Sequence, residues 1–276
     1  MAQGLDAVTH RRAPEGSRLS DAGVFEQCAD ADIFCMQEIF SAEAQALFDR
    51  LGSQAFAASF RDHNRPTLWP TTARGTGLGI STRAALGAPQ LRPFQSRGVG
   101  WDKLARKGAL FARITLAGGA EVDVLTSHLQ ANYDEAAAQV RAAQLVELRR
   151  LIDELGSPDR PFLVCGDFNI DGLAMARGQV EFQRLAAALE GFEDLGAGHD
   201  LPTFDIEGNA LALHYEPRGW VQRIDYIFYR APARGPGLRC RQLARFLDQP
   251  RRDSPPHLPA SWPSDHYGLR AVFDYG

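Results

Sequence analysis

Hydrophobic and polar positions alternate with two different periods along this chain, and the switches between them mark out its elements. Residues 134–155, DEAAAQVRAAQLVELRRLIDEL, place Leu145, Leu148, Ile152 and Leu155 on one face at helical spacing, and Gly156 and Pro158 stop the helix. Helical spacing also predicts helices over 18–29 (RLSDAGVFEQCA), over 41–51 (SAEAQALFDRL, opened by a Ser cap) and over 180–189 (VEFQRLAAAL). Short apolar runs predict strands in DIFCMQE, GLGIST (77–82), GALFARITL (108–116), EVDVLTSHL (121–129), PFLVCGD, QRIDYIFYR (222–230) and the closing DHYGLRAVFDY. The LAGG turn between 108–116 and 121–129 predicts a hairpin, which argues against a purely parallel sheet. Two packed sheets with helices outside fit the order of elements. No repeat or low-complexity linker divides the 276 residues, so one domain over 1–276 is expected.

Composition narrows this picture only slightly. A 45% hydrophobic and 23% charged chain is ordinary for a globular protein, and a net charge of −4 gives no general attraction to nucleic acid. Arginines collect between Arg218 and Arg252, which reads first as a solvated basic surface. The four cysteines have no C-x-x-C spacing; Cys35 and Cys165 sit in apolar runs, so free buried thiols are expected. The opening MAQGLDAVTHRRAPEG lacks the apolar segment of a secretory signal. A soluble, cytoplasmic protein is the expectation, with secretion as the alternative should a segment precede this start.

Five apolar runs carry polar residues suited to chemistry at one end: Gln37-Glu38, His128 and Asp167 with Asn169 close theirs, while Asp225 and Asp265-His266 open theirs. One carboxylate after a strand is commonly a cap or turn residue; five such endings suit metal-assisted hydrolysis of a phosphate ester. Glu38 is a hard ligand for Mg2+. Asp167 can orient or deprotonate a water, Asn169 can donate to a phosphate oxygen, and His128 and His266 can meet developing charge. Asp265 or Asp225 can hold an imidazole in its charged form. Local Cys/His spacing for zinc is absent, no G-x-S-x-G elbow occurs, and the glycine-rich RGTGLGI (74–80) reads as a turn.

With QE at 37–38, SHLQ at 127–130, GDFN at 166–169, RIDYIF at 223–228 and SDH at 264–266, the chain resembles the endonuclease/exonuclease/phosphatase superfamily. That resemblance implies a four-layer α/β-sandwich of two mainly antiparallel sheets between helices, with the site at one end. It also implies Mg2+ (or Mn2+) held by Glu38 and Asp265, and a phosphate-contacting His128. Asp167 and Asn169 would position water and phosphate, Asp225 would support a histidine or the metal network, and His266 would serve as base or phosphate-binding cation. HLQANYDEAAAQVRAAQLVEL (128–148), RKGAL (106–110) and GWVQRIDYIFY are similar in style to neutral sphingomyelinases.

One departure stands out. Members of the superfamily begin with a strand bearing an Asn, and GLDAVTHRRAPEG holds none; Asp6, Thr9 and His10 are the substitutes at hand, none matches the motif, and a truncated or absent first strand is the other expectation. The leading expectation is a sphingomyelinase-like phospholipase C reaction on a phospholipid, with a peripheral membrane surface as partner and no obligate protein partner. A nuclease acting on DNA or RNA is the alternative, and an inactive binding scaffold is another. His63 and Asn64 belong to a loop that could reach substrate, and Trp262 either stacks on a ligand or packs its own loop. His199, His214 and His257 are expected in solvent.

Overall fold

The computed structural model describes residues 18–62, 75–173, 178–199, 201–252 and 254–276. A 3-10 turn, Arg18–Ser20, precedes helix α1 (Ala22–Ala29), strand β1 (Ile33–Met36) and helix α2 (Ala42–Gln54). Strands β2 (Ala58–Arg61), β3 (Gly79–Thr82), β4 (Ala85–Leu86) and β5 (Gln90–Pro93) follow. The hairpin is β6 (Gly108–Thr115) and β7 (Glu121–His128), and the long helix is α3 (Glu135–Leu155). Then come β8 (Phe162–Asp167), α4 (Val180–Ala188), β9 (Glu193–Asp194), α5 (Ala210–Tyr215), β10 (Asp225–Arg230), β11 (Leu238–Phe246) and β12 (Gly268–Tyr275).

The helix starts follow capping chemistry. Ser41 Oγ accepts from the Ala44 amide at 3.0 Å, and an Asp134 carboxylate oxygen accepts from Ala137 at 2.9 Å. Asp21 does the same for Gly23 at 2.8 Å, which is why the helix expected over 18–29 starts only at Ala22.

The larger sheet orders its strands β4-β6-β7-β8-β10-β9, with β5 also on β6; only β7 and β8 run parallel within that central path. Its outer face is covered by α3 and α4, through Leu145, Leu148, Ile152, Leu185 and Leu189 against Phe111, Leu125, Phe162 and Val164. Its inner face meets a second β layer, where Leu78 and Ile80 pack on Leu110, Ile114, Val122 and Val124. Beyond that layer, Val24, Leu47, Phe48 and Leu51 of α1 and α2 cover Phe34 and Met36. The four-layer α/β-sandwich is therefore present.

The second β layer comes in two pieces. One is β1-β3-β2 and the other β11-β12, each antiparallel. Strand β11 was not foreseen, because LRCRQLARF carries Arg239, Arg241 and Arg245, holds no unbroken apolar run and stays half-exposed. The four cysteines are all free, as expected; Cys28 is buried, while Cys35, Cys165 and Cys240 are only partly so. No described helix is long and apolar enough to cross a membrane.

Candidate active site

Strand register alone brings three of the candidate residues into one row. His128 lies opposite Asp167 across the parallel β7–β8 pair, and Asp167 lies opposite Asp225 across β8–β10. Gly108 faces His128 on the other side, so Lys107 arrives beside the imidazole. Lys107 Nζ is 2.9 Å from His128 Nε2 and 3.3 Å from Asp102 Oδ2; His128 Nε2 is 3.4 Å from Asp167 Oδ2. Close approach of β7 and β8 requires Gly166: its φ is 136°, and a Cβ there would lie 2.0 Å from the Ser127 carbonyl oxygen.

The remaining candidates come from the second β layer. Glu38 follows β1 with φ at 55°, a left-handed conformation that costs a glutamate roughly 1–3 kcal/mol and is typical of functional sites. The next amide, of Ile39, donates to the Gly77 carbonyl at 2.9 Å, so the glycine-rich run is the turn that braces Glu38. Glu38 Oε1 stands 3.9 Å from His128 Nε2. From the other piece, His266 Nδ1 lies 2.8 Å from Asp225 Oδ2, and Asp265 is buried beside it. Ligand atoms of Asp167, Asp225 and His266 fall within 4.8 Å of one another. Asn169, also left-handed at φ 51°, donates its amide N–H to Asp167 Oδ1 at 2.8 Å, while one side-chain N–H goes to the Leu129 carbonyl at 3.1 Å.

Burial and neighbouring charge set the protonation states. Burial raises Asp167 to about 7, with the Asp225 charge adding to the effect. Burial alone would depress His266, but Asp225, with Asp167 and Asp265 behind it, lifts it to about 9, so it is a cation at neutral pH. His128 is pushed well down by burial and by Lys107, so it is neutral. An ammonium at Nε2 makes that nitrogen the acceptor and leaves the proton on Nδ1, which is buried with no partner among the described residues. Burial raises Glu38 as well, with Asp265 and Asp102 contributing.

Several residues around the site carry roles that pattern reading did not assign. Lys107 was noted only as part of the RKGAL run; the register of β6 against β7 puts it at the imidazole. The Arg-x-x-Gln-x-x-Glu series on α3 pins two loops. Arg141 donates to the Gln130 and Asn132 carbonyls, Gln144 accepts from the Gln130 amide, and Glu147 accepts from the Gln95 and Ser96 amides. At the rim, Tyr133 and Trp220 pair with ring centroids 4.5 Å apart and remain 43% and 47% exposed. The Tyr133 hydroxyl donates to Gln222 Oε1 at 2.7 Å. Its own acidity is weakened first by burial and then by the charges of Glu216, Asp167 and Asp171.

Trp262 is buried against Leu211, Tyr215 and Tyr267, and its Nε1–H donates to the Pro256 carbonyl, so it packs its loop. The arginines of the C-terminal stretch are partly committed elsewhere: Arg223 is buried on Asp194, Arg241 pairs with Asp274 and Arg245 with Asp248. His199, His214 and His257 are exposed. Asp6, Thr9, His10, His63 and Asn64 lie outside the described residues.

The donor set fits a hard divalent cation. Glu38, Asp167, Asp225 and Asp265 gather about Lys107 and His266, so buried carboxylate exceeds buried cation. Oxygen donors of this kind suit Mg2+ or Mn2+. Glu38 with Asp265 is the better ligand pair, because a proton already joins His266 to Asp225.

Three solved structures share this fold. Sphingomyelinase C from Streptomyces griseocarneus matches with a TM-score of 0.66 and 19% identity, covering 95% of this chain and 90% of that one. A Staphylococcus aureus beta toxin variant with bound magnesium ions gives 0.65 and 17%, covering 91% and 93%. D. rerio TDP2, complexed with a single-strand DNA product, gives 0.68 and 19%, covering 94% and 92%. In sequence, a Staphylococcus aureus phospholipase C is 28% identical over 163 residues, 57% of this chain and 47% of that protein. The chain spans about half the length of that relative. Residues 6–266 match the Endonuclease/Exonuclease/phosphatase family, and the chain belongs to it.

Proposed function

We propose that this chain is a Mg2+-dependent phosphodiesterase that releases a phosphorylated head group from a lipid, in a sphingomyelinase-like phospholipase C reaction. The observation that carries the proposal is the row His128–Asp167–Asp225 with His266 clasped by Asp225, facing Glu38 across the layers. Bound at Glu38 and Asp265, the metal would supply Lewis-acid polarisation of a phosphoryl oxygen.

The chain's own groups perform the rest. Asp167 orients a water and takes its proton as the water oxygen bonds to phosphorus; the bond from phosphorus to the lipid oxygen breaks, and that oxygen takes up a proton from solvent water. The His266 cation, fixed by Asp225, faces the charge that develops on the phosphoryl oxygens. The second Asn169 amide proton is available to the same oxygens, since the first is held by Leu129. Neutral His128, with its Nε2 against Lys107, holds that buried positive charge beside Glu38 and Asp167.

A lipid head group is favoured over nucleic acid by the rim. Tyr133 and Trp220 offer exposed aromatic faces amid the charges of Glu216 and Asp171, which suits a quaternary ammonium group and repels a polyanion. The relatives named phospholipase C and sphingomyelinase C support this reading. The test is hydrolysis of sphingomyelin vesicles, bis-p-nitrophenyl phosphate and plasmid DNA, each with Mg2+ and with chelator. Chelator-sensitive release from sphingomyelin, weakened about tenfold by Trp220→Ala, is expected. Plasmid nicking without lipid hydrolysis would transfer the site to nucleic acid, and turnover of none of the three would refute the enzyme.

A further inference from the structure

The Asp225–His266 pair is drawn from both β layers: Asp225 opens β10 of the larger sheet, and His266 precedes β12 of the second layer. No strand pairing joins β10 to β12 among the described residues. On the side away from β8, β10 meets β9 only at Phe228 and Tyr229, which leaves the amides of Ile224 and Asp225 beyond the end of that ladder. Thr203, from the stretch between β9 and α5, fills the place, and it is fully buried there. Its hydroxyl oxygen accepts from the Ile224 amide at 3.1 Å and from the Asp225 amide at 3.0 Å.

The same residue holds the other layer. Its carbonyl accepts from the Tyr267 amide at 2.7 Å, one residue beyond His266, and its own amide donates to the Gln222 carbonyl at 2.8 Å. Phe204 forms an antiparallel bridge with Gln222 on one side and with His266 on the other. Its ring meets the His266 imidazole edge-on, with centroids 5.3 Å apart and planes at 63°. Thr203 and Phe204 thus stitch the start of β10 to the approach to β12. The imidazole is pinned between the Asp225 carboxylate at Nδ1 and the Phe204 ring, which leaves Nε2 for a substrate.

We propose that Thr203 is a positioning residue: its hydroxyl fixes the backbone of Asp225, and with it the aim of the Asp225 carboxylate at His266 Nδ1. The proposal deepens the phosphodiesterase reading and rests on it for the effect on rate. Two amide protons on one oxygen use both lone pairs of a hydroxyl. Valine fills the same space but offers no acceptor, and two adjacent amides that lose theirs draw the backbone toward another partner. Serine keeps the oxygen. Helix capping does not explain Thr203, because α5 has its own cap in Asn209, whose side chain accepts from the Leu211 and Ala212 amides. A displacement of about 1 Å at a reacting group can cost about 100-fold in rate, so a group that reaches the site only through Asp225 still acts on turnover.

Proton NMR of the resting protein and steady-state kinetics test this together. The Nδ1–H of His266, held on Asp225, is expected as a low-field resonance protected from solvent and absent from His266→Gln. In Thr203→Val that resonance should vanish or exchange about tenfold faster or more, while Thr203→Ser keeps it. On bis-p-nitrophenyl phosphate with Mg2+, Thr203→Val should lose about 10- to 100-fold in kcat with KM within about twofold, and Thr203→Ser should restore kcat. An unchanged resonance in folded Thr203→Val overturns the proposal. So does its absence from the wild type, or a loss of kcat that serine does not restore. If Thr203→Val does not fold, Thr203→Cys, with a weak sulfur acceptor in the same place, should show a partial loss, and an unperturbed resonance there overturns the proposal equally. A wild-type protein that turns over no phosphodiester refutes the proposed activity, while the resonance still decides the role of Thr203.

Discussion

The two β layers of this sandwich differ in how they place the candidate catalytic groups. In the larger sheet, β7, β8 and β10 pair continuously, and His128, Asp167 and Asp225 stand in one row as a consequence of register. In the second layer, Glu38 and Asp265-His266 hang beyond the ends of β1 and β12, two strands that share no neighbour among the described residues. One half of the site is thus fixed by ladder hydrogen bonds. The other is held by turn and loop contacts, among them the Ile39 amide on Gly77, the His266 amide on Ser264 Oγ and the His266 imidazole on Asp225. The larger sheet should therefore govern whether the protein folds, and the junction between layers whether it turns over.

The largest expected effect breaks the continuous half. Gly166→Val would drive a side chain into the Ser127 carbonyl, and a loss on the order of 3 kcal/mol or more is expected, seen as a large drop in thermal midpoint. If this variant melts like the wild type, register does not depend on that close approach. Next in size, His266→Gln removes the cation that the layers share, and kcat for a phosphodiester should fall about 100-fold or more. Retention of wild-type kcat would place the charge elsewhere.

A pH profile sharpens the comparison further. With Asp167 acting as base and His266 as cation, activity rises as Asp167 ionises near 7 and falls as His266 loses its proton near 9. Bound metal moves the acidic limb lower, since a nearby cation favours the carboxylate. Asp225→Asn removes the largest support for the imidazolium, so the basic limb should move down toward the ordinary histidine value of 6.5. If instead neutral His266 is the base, the wild-type rate would climb through 9.

The smallest effect belongs to the loop pins. Glu147→Ala strips acceptors from the Gln95 and Ser96 amides, costing about 1–2 kcal/mol of stability while leaving kcat unchanged. A fall in kcat comparable to that of His266→Gln would show that this loop shapes the site.

Much of this was legible along the chain, for identifiable reasons. His128, Asp167 and Asp225 could be singled out because each sits at the end of an apolar run, and the caps of α2 and α3 announced their helices. Lys107 was not, because the foreseen hairpin leaves open the exact register that pairs Gly108 with His128. Arg141, Gln144 and Glu147 look like the polar face of a helix until the loops they hold are in place. Strand β11 escaped because Gln242 and Leu243 break the alternation that its arginines keep, at a bulge in the β11–β12 pairing, and the split in the second layer depends on pairings between distant residues.

The central claim is that Asp167, in its row between His128 and Asp225, drives phosphodiester hydrolysis. It is tested most directly by comparing wild-type protein with Asp167→Asn, equal in thermal midpoint, on bis-p-nitrophenyl phosphate in Mg2+ and in chelator. The account predicts turnover by the wild type that chelator abolishes and Mg2+ restores, with the variant slower by about 100-fold or more. Equal rates for the two proteins would contradict it.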